Sequence, residues 1–219
     1  IATYGRGSVA GNGLGAYMTE GVSMEVAGGA QDGAAKTALG GTLAVLKGPN
    51  AVGRFVDGSV GKAFAYGAQR GRLFVQGGAD ARAAIRLSGA EVVFGGDLRG
   101  FAFEYMTGGT AVVMGDPGRW ICSGMSGGRV FLLLDPARGR DEAELRSRFA
   151  KGAKVSLRAP DAAEAATCAD LLGAYAAVVA SSGQGAEAAR VRALCADVAQ
   201  AFRVVRPGAD IVDQTVSTE

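Results

Sequence analysis

Short apolar stretches recur through the first part of the chain, and a corner rich in small residues introduces each one. The stretches are Ser23 to Val26, Leu43 to Leu46, Leu73 to Val75, Val92 to Phe94, Ala111 to Met114 and Val130 to Leu134. The corners are Thr19-Glu20-Gly21, Leu39-Gly40-Gly41, Gln69-Arg70-Gly71, Ser88-Gly89-Ala90, Thr107-Gly108-Gly109 and Ser126-Gly127-Gly128. Their last residues lie 20, 30, 19, 19 and 19 positions apart. The 30-residue interval holds one unit plus an insertion, roughly Ala51 to Gly61. Gly28, Gly48, Gly77, Gly95 and Gly115 close the first five units, and Asp135-Pro136 closes the sixth. Strands this short, at a period near 19, are too small for propeller blades or helix-pair repeats. They predict an all-β solenoid, a parallel β-helix of about six to seven coils, with rungs about 4.8 Å apart. Each coil must turn sharply between short strands, and Gly109 and Gly128 are expected either to hold positive φ or to sit where a side chain would strike the next coil. Neighbouring coils complete one another's hydrogen bonds, so a single unit would be unstable.

After Arg138 the pattern changes, dividing the chain into a solenoid over 1–138 and a helical cap or extension over 139–219. Asp141 to Ala150 reads as a short charged helix, and the alternation from Ala153 to Arg158 as one last strand. Pro160-Asp161 with Glu164 has the form of a helix start. Cys168, Leu171, Leu172, Tyr175, Val178 and Val179 then fall on one helical face. After a break at Ser181 to Gly185, Val191, Leu194, Cys195, Val198 and Phe202 form the stripe of a second helix, ended by Pro207-Gly208. The helical pair is expected to cap the open end of the solenoid, because a bare last rung is a template for edge pairing.

Composition narrows the chemistry. Thirty of the 36 glycines lie in the first 130 residues, without the every-third-residue period of collagen. The chain has no His, which removes Ser-His-Asp and Cys-His nucleophile pairs, imidazole metal ligands and the usual neutral-pH proton shuttle. Three cysteines cannot supply a four-cysteine zinc or iron–sulfur site, and their wide spacing suits reduced thiols. A net charge of +2, spread along the sequence, gives no nucleic-acid footprint. The strongest apolar run, Val130 to Leu134, is too short for a bilayer, and a cytoplasmic protein without membrane contact is expected.

Few residues invite a chemical reading. Gly11-Asn12-Gly13-Leu14-Gly15-Ala16 superficially matches a dinucleotide fingerprint but lacks the flanking strand and helix that give it meaning, so it reads as a coil corner. Gly58-Ser59-Val60-Gly61-Lys62 has the wrong spacing for a phosphate loop. Asp80, Asp97, Glu104 and Asp116 could meet across stacked coils as carboxylate pairs, although charges outside a solenoid are ordinarily solvated. Glu104-Tyr105-Met106, with Phe101 and Phe103 before it, suits a structural or interface role better than catalysis. Cys122, Cys168 and Cys195 read as packed thiols. No catalytic, cofactor-binding or metal-ligating residue is assigned.

Glu104-Tyr105-Met106-Thr107-Gly108-Gly109 and Gly124-Met125-Ser126-Gly127-Gly128 are more specific. With Gly7-Ser8-Val9-Ala10-Gly11 and Leu14-Gly15-Ala16-Tyr17-Met18, they resemble the C-terminal GXGXG domain of the glutamate synthase large subunit over about residues 4–135. The corners Gly21-Val22-Ser23 and Ala35-Lys36-Thr37 match only approximately, and Phe202-Arg203-Val204-Val205-Arg206-Pro207 extends the likeness weakly into the tail. The resemblance implies a right-handed β-helix that contributes no catalytic residue. It also implies partners: a glutamine amidotransferase part that releases ammonia, and a synthase part with FMN and an iron–sulfur cluster that reductively aminates 2-oxoglutarate. This chain carries neither part, so it is expected to be a separately encoded scaffold subunit or a detached domain of such an oxidoreductase complex. The alternative is the β-helix subunit of formylmethanofuran dehydrogenase or of the related formyltransferase/hydrolase complex, which this chain resembles in the same glycine-rich corners.

Overall fold

The computed structural model describes residues 2–49, 53 and 55–208. Seven strands stack in parallel: β1 (Ala2–Ala10), β2 (Ser23–Ala30), β3 (Leu39–Leu46), β6 (Arg70–Val75), β7 (Ser88–Phe94), β8 (Thr107–Val113) and β9 (Gly127–Leu133). Glu91 lies beside Thr110 and Thr110 beside Arg129, so each coil advances 19 residues. The strands begin earlier than the apolar stretches because their glycine corners already belong to the ladder. The insertion leaves the stack as a small antiparallel pair, β4 (Gly48–Pro49) and β5 (Phe55–Val56). By Val60, bridged to both Ala30 and Ala79, the chain is back in register.

The other long side of the solenoid is not a β-sheet. In each coil a six-residue turn places its second, fourth and sixth residues at positive φ. They are Gly13, Gly15 and Tyr17 in one coil, Phe101, Phe103 and Tyr105 in another. All thirteen positive-φ residues other than glycine among the described residues occupy these columns. Their amides bond alternately to the coil above and the coil below: Phe101 and Tyr105 donate to the Arg119 and Ser123 carbonyls, and Phe103 donates to that of Ala83. This two-way ladder stabilises a conformation that costs an L-residue about 1–2 kcal/mol.

Small residues fill the narrow interior. Ala34, Ala35, Ala65, Ala68, Ala83, Ala84 and Ala102 are fully buried, and Phe64, Phe94 and Phe103 pack edge-on among them. Val26, Leu43, Leu73, Val92, Ala111 and Val130 point in from the strands.

The C-terminal half departs from the sequence pattern in two ways. Residues Phe202–Pro207 form strand β11 rather than the end of a helix. They pair antiparallel with β9 on one side and with β10 (Val155–Arg158) on the other. An alternating Phe-Arg-Val-Val segment satisfies the otherwise open edge of the last rung, and that pairing outweighs helix periodicity. Helices α2 (Ala162–Ser181) and α3 (Gly185–Cys195) do not cover the open end. They lie along the outside of the strand face, where Leu171, Leu172, Tyr175 and Val179 pack on Leu46, Phe74, Val93 and Met114. The end is closed by β11, α1 (Glu142–Ser147) and the segment after it, with Leu145 and Phe149 plugging the interior. Helix α2 starts as expected, with the Asp161 carboxylate accepting from the Glu164 amide and the Glu164 carboxylate from that of Asp161. It is apolar and long enough to span a bilayer by composition, but that face is the one packed on the strands. A four-residue helix, α4 (Val198–Ala201), leads into β11.

Candidate functional site

Three long surfaces remain to be read: the strand face under α2 and α3, the corner that follows each strand, and the turn face.

The corner forms an open groove of about 750 Å³. Its floor is a column of glycines. A Cβ on Gly95 would lie 2.5 Å from the Tyr175 hydroxyl and 2.6 Å from the Gln76 carbonyl, so side chains are excluded by rung-on-rung contact. The suggested carboxylates line this corner or the turn beside it, but they do not pair with one another. Asp97 accepts from the Asp116 amide, Asp80 from that of Ala81, and Asp116 from that of Gly118 while also holding Arg148 at 3.0 Å. Glu104 lies 4.0 Å from Arg82. Of the groove's other charges, Asp135 binds Arg138 and Arg140 and Glu187 binds Arg190, while Lys47 and Arg99 have no carboxylate partner among the described residues. These carboxylates cap backbone amides and neutralise guanidiniums, which is structural work.

The thiols are packed. Burial pushes Cys122 far up and Cys168 up to about 12, with the neighbouring Cys195 thiol adding to the rise at Cys168. Cys195 is half-buried and is also raised by burial. Among the described residues no three Cys, Asp or Glu converge as metal ligands. The fingerprint-like Gly11-Asn12-Gly13-Leu14-Gly15-Ala16 is one of the two-way turns, its Gly13 amide donating to the Asp32 carbonyl of the next coil. Gly58 to Lys62 likewise belongs to the coil, with Val60 in the ladder.

The turn face carries what remains. Phe101 stacks on Trp120 with ring centroids 5.1 Å apart, and the Arg82 guanidinium lies 6.0 Å from the Phe101 ring. A parallel column places Arg86 at 5.8 Å from the Tyr105 ring, and Lys36 lies 5.5 Å from Tyr66. Phe101, Tyr105 and Trp120 are 38%, 52% and 51% exposed. Phe101 and Tyr105 stand out in the sequence, but their columns escaped the sequence-based reading. The signal was the repeat itself: Arg82, Phe101 and Trp120 are spaced by one coil, as are Arg86 and Tyr105.

Architecture and surfaces together define a parallel β-solenoid whose long faces alternate a β-ladder with a positive-φ turn ladder, and whose carboxylates serve the rungs. Glycines at alternate residues, as at Gly13 and Gly15, are what that turn asks for. The chain belongs to the GXGXG-motif family, whose profile matches residues 3–188. It is 39% identical over 127 residues to a ferredoxin-dependent glutamate synthase of Pyropia yezoensis, covering 57% of this chain and 8% of that protein. It is 34% identical over 131 residues to the glutamate synthase [NADPH] large chain of Bacillus subtilis (59% and 8%), and 41% over 109 residues to that of Azospirillum brasilense (48% and 7%). The chain thus matches the GXGXG domain of glutamate synthase and spans about 8% of the length of those relatives.

Proposed function

We propose that this chain is the non-catalytic scaffold of a glutamate-synthase-like complex, seating a glutamine amidotransferase part and a synthase part against each other. The carrying observation is that the family match, residues 3–188, takes in the solenoid, while the carboxylates along the solenoid cap backbone amides or bind arginines and Cys122 is buried inside it. Rigidity is what such a body supplies: its interior is close-packed, and every coil is held by two ladders. FMN and an iron–sulfur cluster would reside on the synthase partner. The three cysteines here suit neither, since Cys122 is sealed inside the solenoid and Cys168 and Cys195 sit among the helices.

The test is purification of the tagged chain from its own cells, followed by mass photometry and flavin absorbance. Recovery with an FMN-domain chain and an amidotransferase chain, the flavin following the former, is the expected result. Recovery as a lone monomer contradicts the reading, and recovery with formyl-transfer subunits selects the alternative.

A further inference from the structure

On the strand face the chain's own helices cover the outward apolar side chains, and in the corner groove Asp135, Arg138, Arg140, Glu187 and Arg190 pair among themselves. The turn face is different. Its aromatic side chains stand 38–61% exposed at Tyr17, Phe101, Tyr105 and Trp120. Lys36, Lys62, Arg86 and Arg119 have no carboxylate partner among the described residues, and Arg82 has only Glu104 at 4.0 Å. In the turns of coils four to six, Arg82, Arg86 and Arg119 stand against Glu104 alone, so that short stretch carries +2, as much as the whole chain.

These side chains also stand where the fold gains least from them. Arg82, Arg86, Phe101, Tyr105 and Trp120 all have φ between 54° and 67°. Gly13 and Gly33 hold the Arg82-Phe101-Trp120 column in earlier coils, so the turn forms with no side chain there. A large residue in this conformation costs strain, and a ring left half in water returns little of it by burial. Such strain, held by a rigid frame, is characteristic of a functional surface. Aromatic rings interleaved with arginines are also the composition of interface hot spots.

We propose that the turn face of coils four to six, centred on Phe101, Tyr105 and Trp120 with Arg82 and Arg86, docks an acidic surface of a protein partner in the complex. The occupant follows from charge. A second copy would set Arg82, Arg86 and Arg119 against their own counterparts, whereas clustered carboxylates would find three guanidinium groups beside the aromatic anchors. This inference rests on the scaffold reading and assigns it a specific face.

Two pairs of substitutions separate docking from folding. Phe101→Gly with Trp120→Gly removes the anchors while relieving positive-φ strain, and Arg82→Glu with Arg86→Glu reverses the charge. The complex recovered from the cells is re-formed from purified chains, and its Kd is measured at low and high salt. A photo-crosslinking phenylalanine analogue replaces Tyr105, and the captured peptide is sequenced. Expected are thermal midpoints within a few degrees of the parent, a Kd raised about 30-fold or more by either pair, weakening by salt, and capture of a partner segment rich in Asp and Glu. Unchanged affinity in both variants, or capture of a segment without acidic excess, overturns the docking face while leaving the scaffold reading intact. Capture of a second copy of this chain, or tighter binding of a labelled oligothymidine than of the partner, also overturns it. If no complex forms at all, both readings fail.

Discussion

Gly21 and Gly109 occupy the same corner of the repeat and have nearly the same φ, +81° and +86°. They differ in what lies beneath. A Cβ on Gly109 would lie 2.5 Å from the Ala90 carbonyl oxygen and 3.1 Å from the Gly89 carbonyl carbon, both backbone atoms of the preceding coil. A Cβ on Gly21, in the first of these corners, would meet nothing within 4 Å. Alanine at the two sites therefore separates backbone strain from stacking. Left-handed φ costs an alanine about 1–2 kcal/mol, partly offset by the entropy that glycine gives the unfolded chain, so Gly21→Ala should cost about 1 kcal/mol. Gly109→Ala adds an overlap that only displacement of a hydrogen-bonded rung can relieve. Overpacking of that kind costs about 1–3 kcal/mol, for about 3 kcal/mol in all. In calorimetry, where a chain of this size loses roughly 2–4 °C per kcal/mol, the midpoint should fall by about 3 °C for Gly21→Ala and about 9 °C for Gly109→Ala. Gly128→Ala should lie between them, because its nearest obstacle is the terminal methyl of the unbranched Met106 side chain, which yields more readily than backbone, with the Gly108 backbone 2.9 Å away. Equal losses at Gly21 and Gly109, within about 0.5 kcal/mol, would refute the claim that close coil stacking dictates glycine at these corners; that margin is the scatter between independent sites.

Two further predictions concern the tail. The Tyr175 hydroxyl is buried over Gly95 with no hydrogen-bond partner among the described residues, so Tyr175→Phe should raise stability by about 1 kcal/mol; a urea midpoint lowered by a similar amount would mean that the hydroxyl is satisfied. Burial pushes the Glu164 carboxyl up, but the two Arg158 hydrogen bonds and the Asp161 amide outweigh this and hold it below its ordinary value. A depressed carboxylate contributes stability above the usual carboxylate range of about pH 4.3 and loses it as pH falls through the folded value. Glu164→Gln should therefore lower the melting point at about pH 7 and flatten its decline below about pH 4.5; a parallel decline in both proteins would remove the ion pair from the account.

Part of this architecture could be read directly. The strands show because each rung repeats one apolar segment at a fixed interval, and the doublets Gly40-Gly41, Gly108-Gly109 and Gly127-Gly128 mark where rungs press together. The α2 start was legible in Asp161 and Glu164 because a capping box is local chemistry. The placement of the tail was not. Phe202 to Val205 fits a helical stripe continued from Val198 and a strand alternation equally well. What decides between them is the open edge of β9, some seventy residues earlier in sequence, which no local pattern contains.

The turn face was hidden for a different reason. Residues that alternate between ordinary and positive φ send their side chains in and out in pairs. Ala83 and Ala84 are buried between exposed Arg82 and Arg86, and Ala102 and Phe103 between exposed Phe101 and Tyr105. That spacing is neither the 2.0 of a strand nor the 3.6 of a helix, so a periodicity search returns loop. Nor does residue type help, because arginine, phenylalanine and tryptophan are poor candidates for positive φ when judged alone. Only the stacked register makes them intelligible: each is held by the coils above and below, through amides that a single coil would leave bare. The same cooperativity lets the solenoid present bulky, strained side chains on a rigid grid, which is the geometry that the proposed docking face requires.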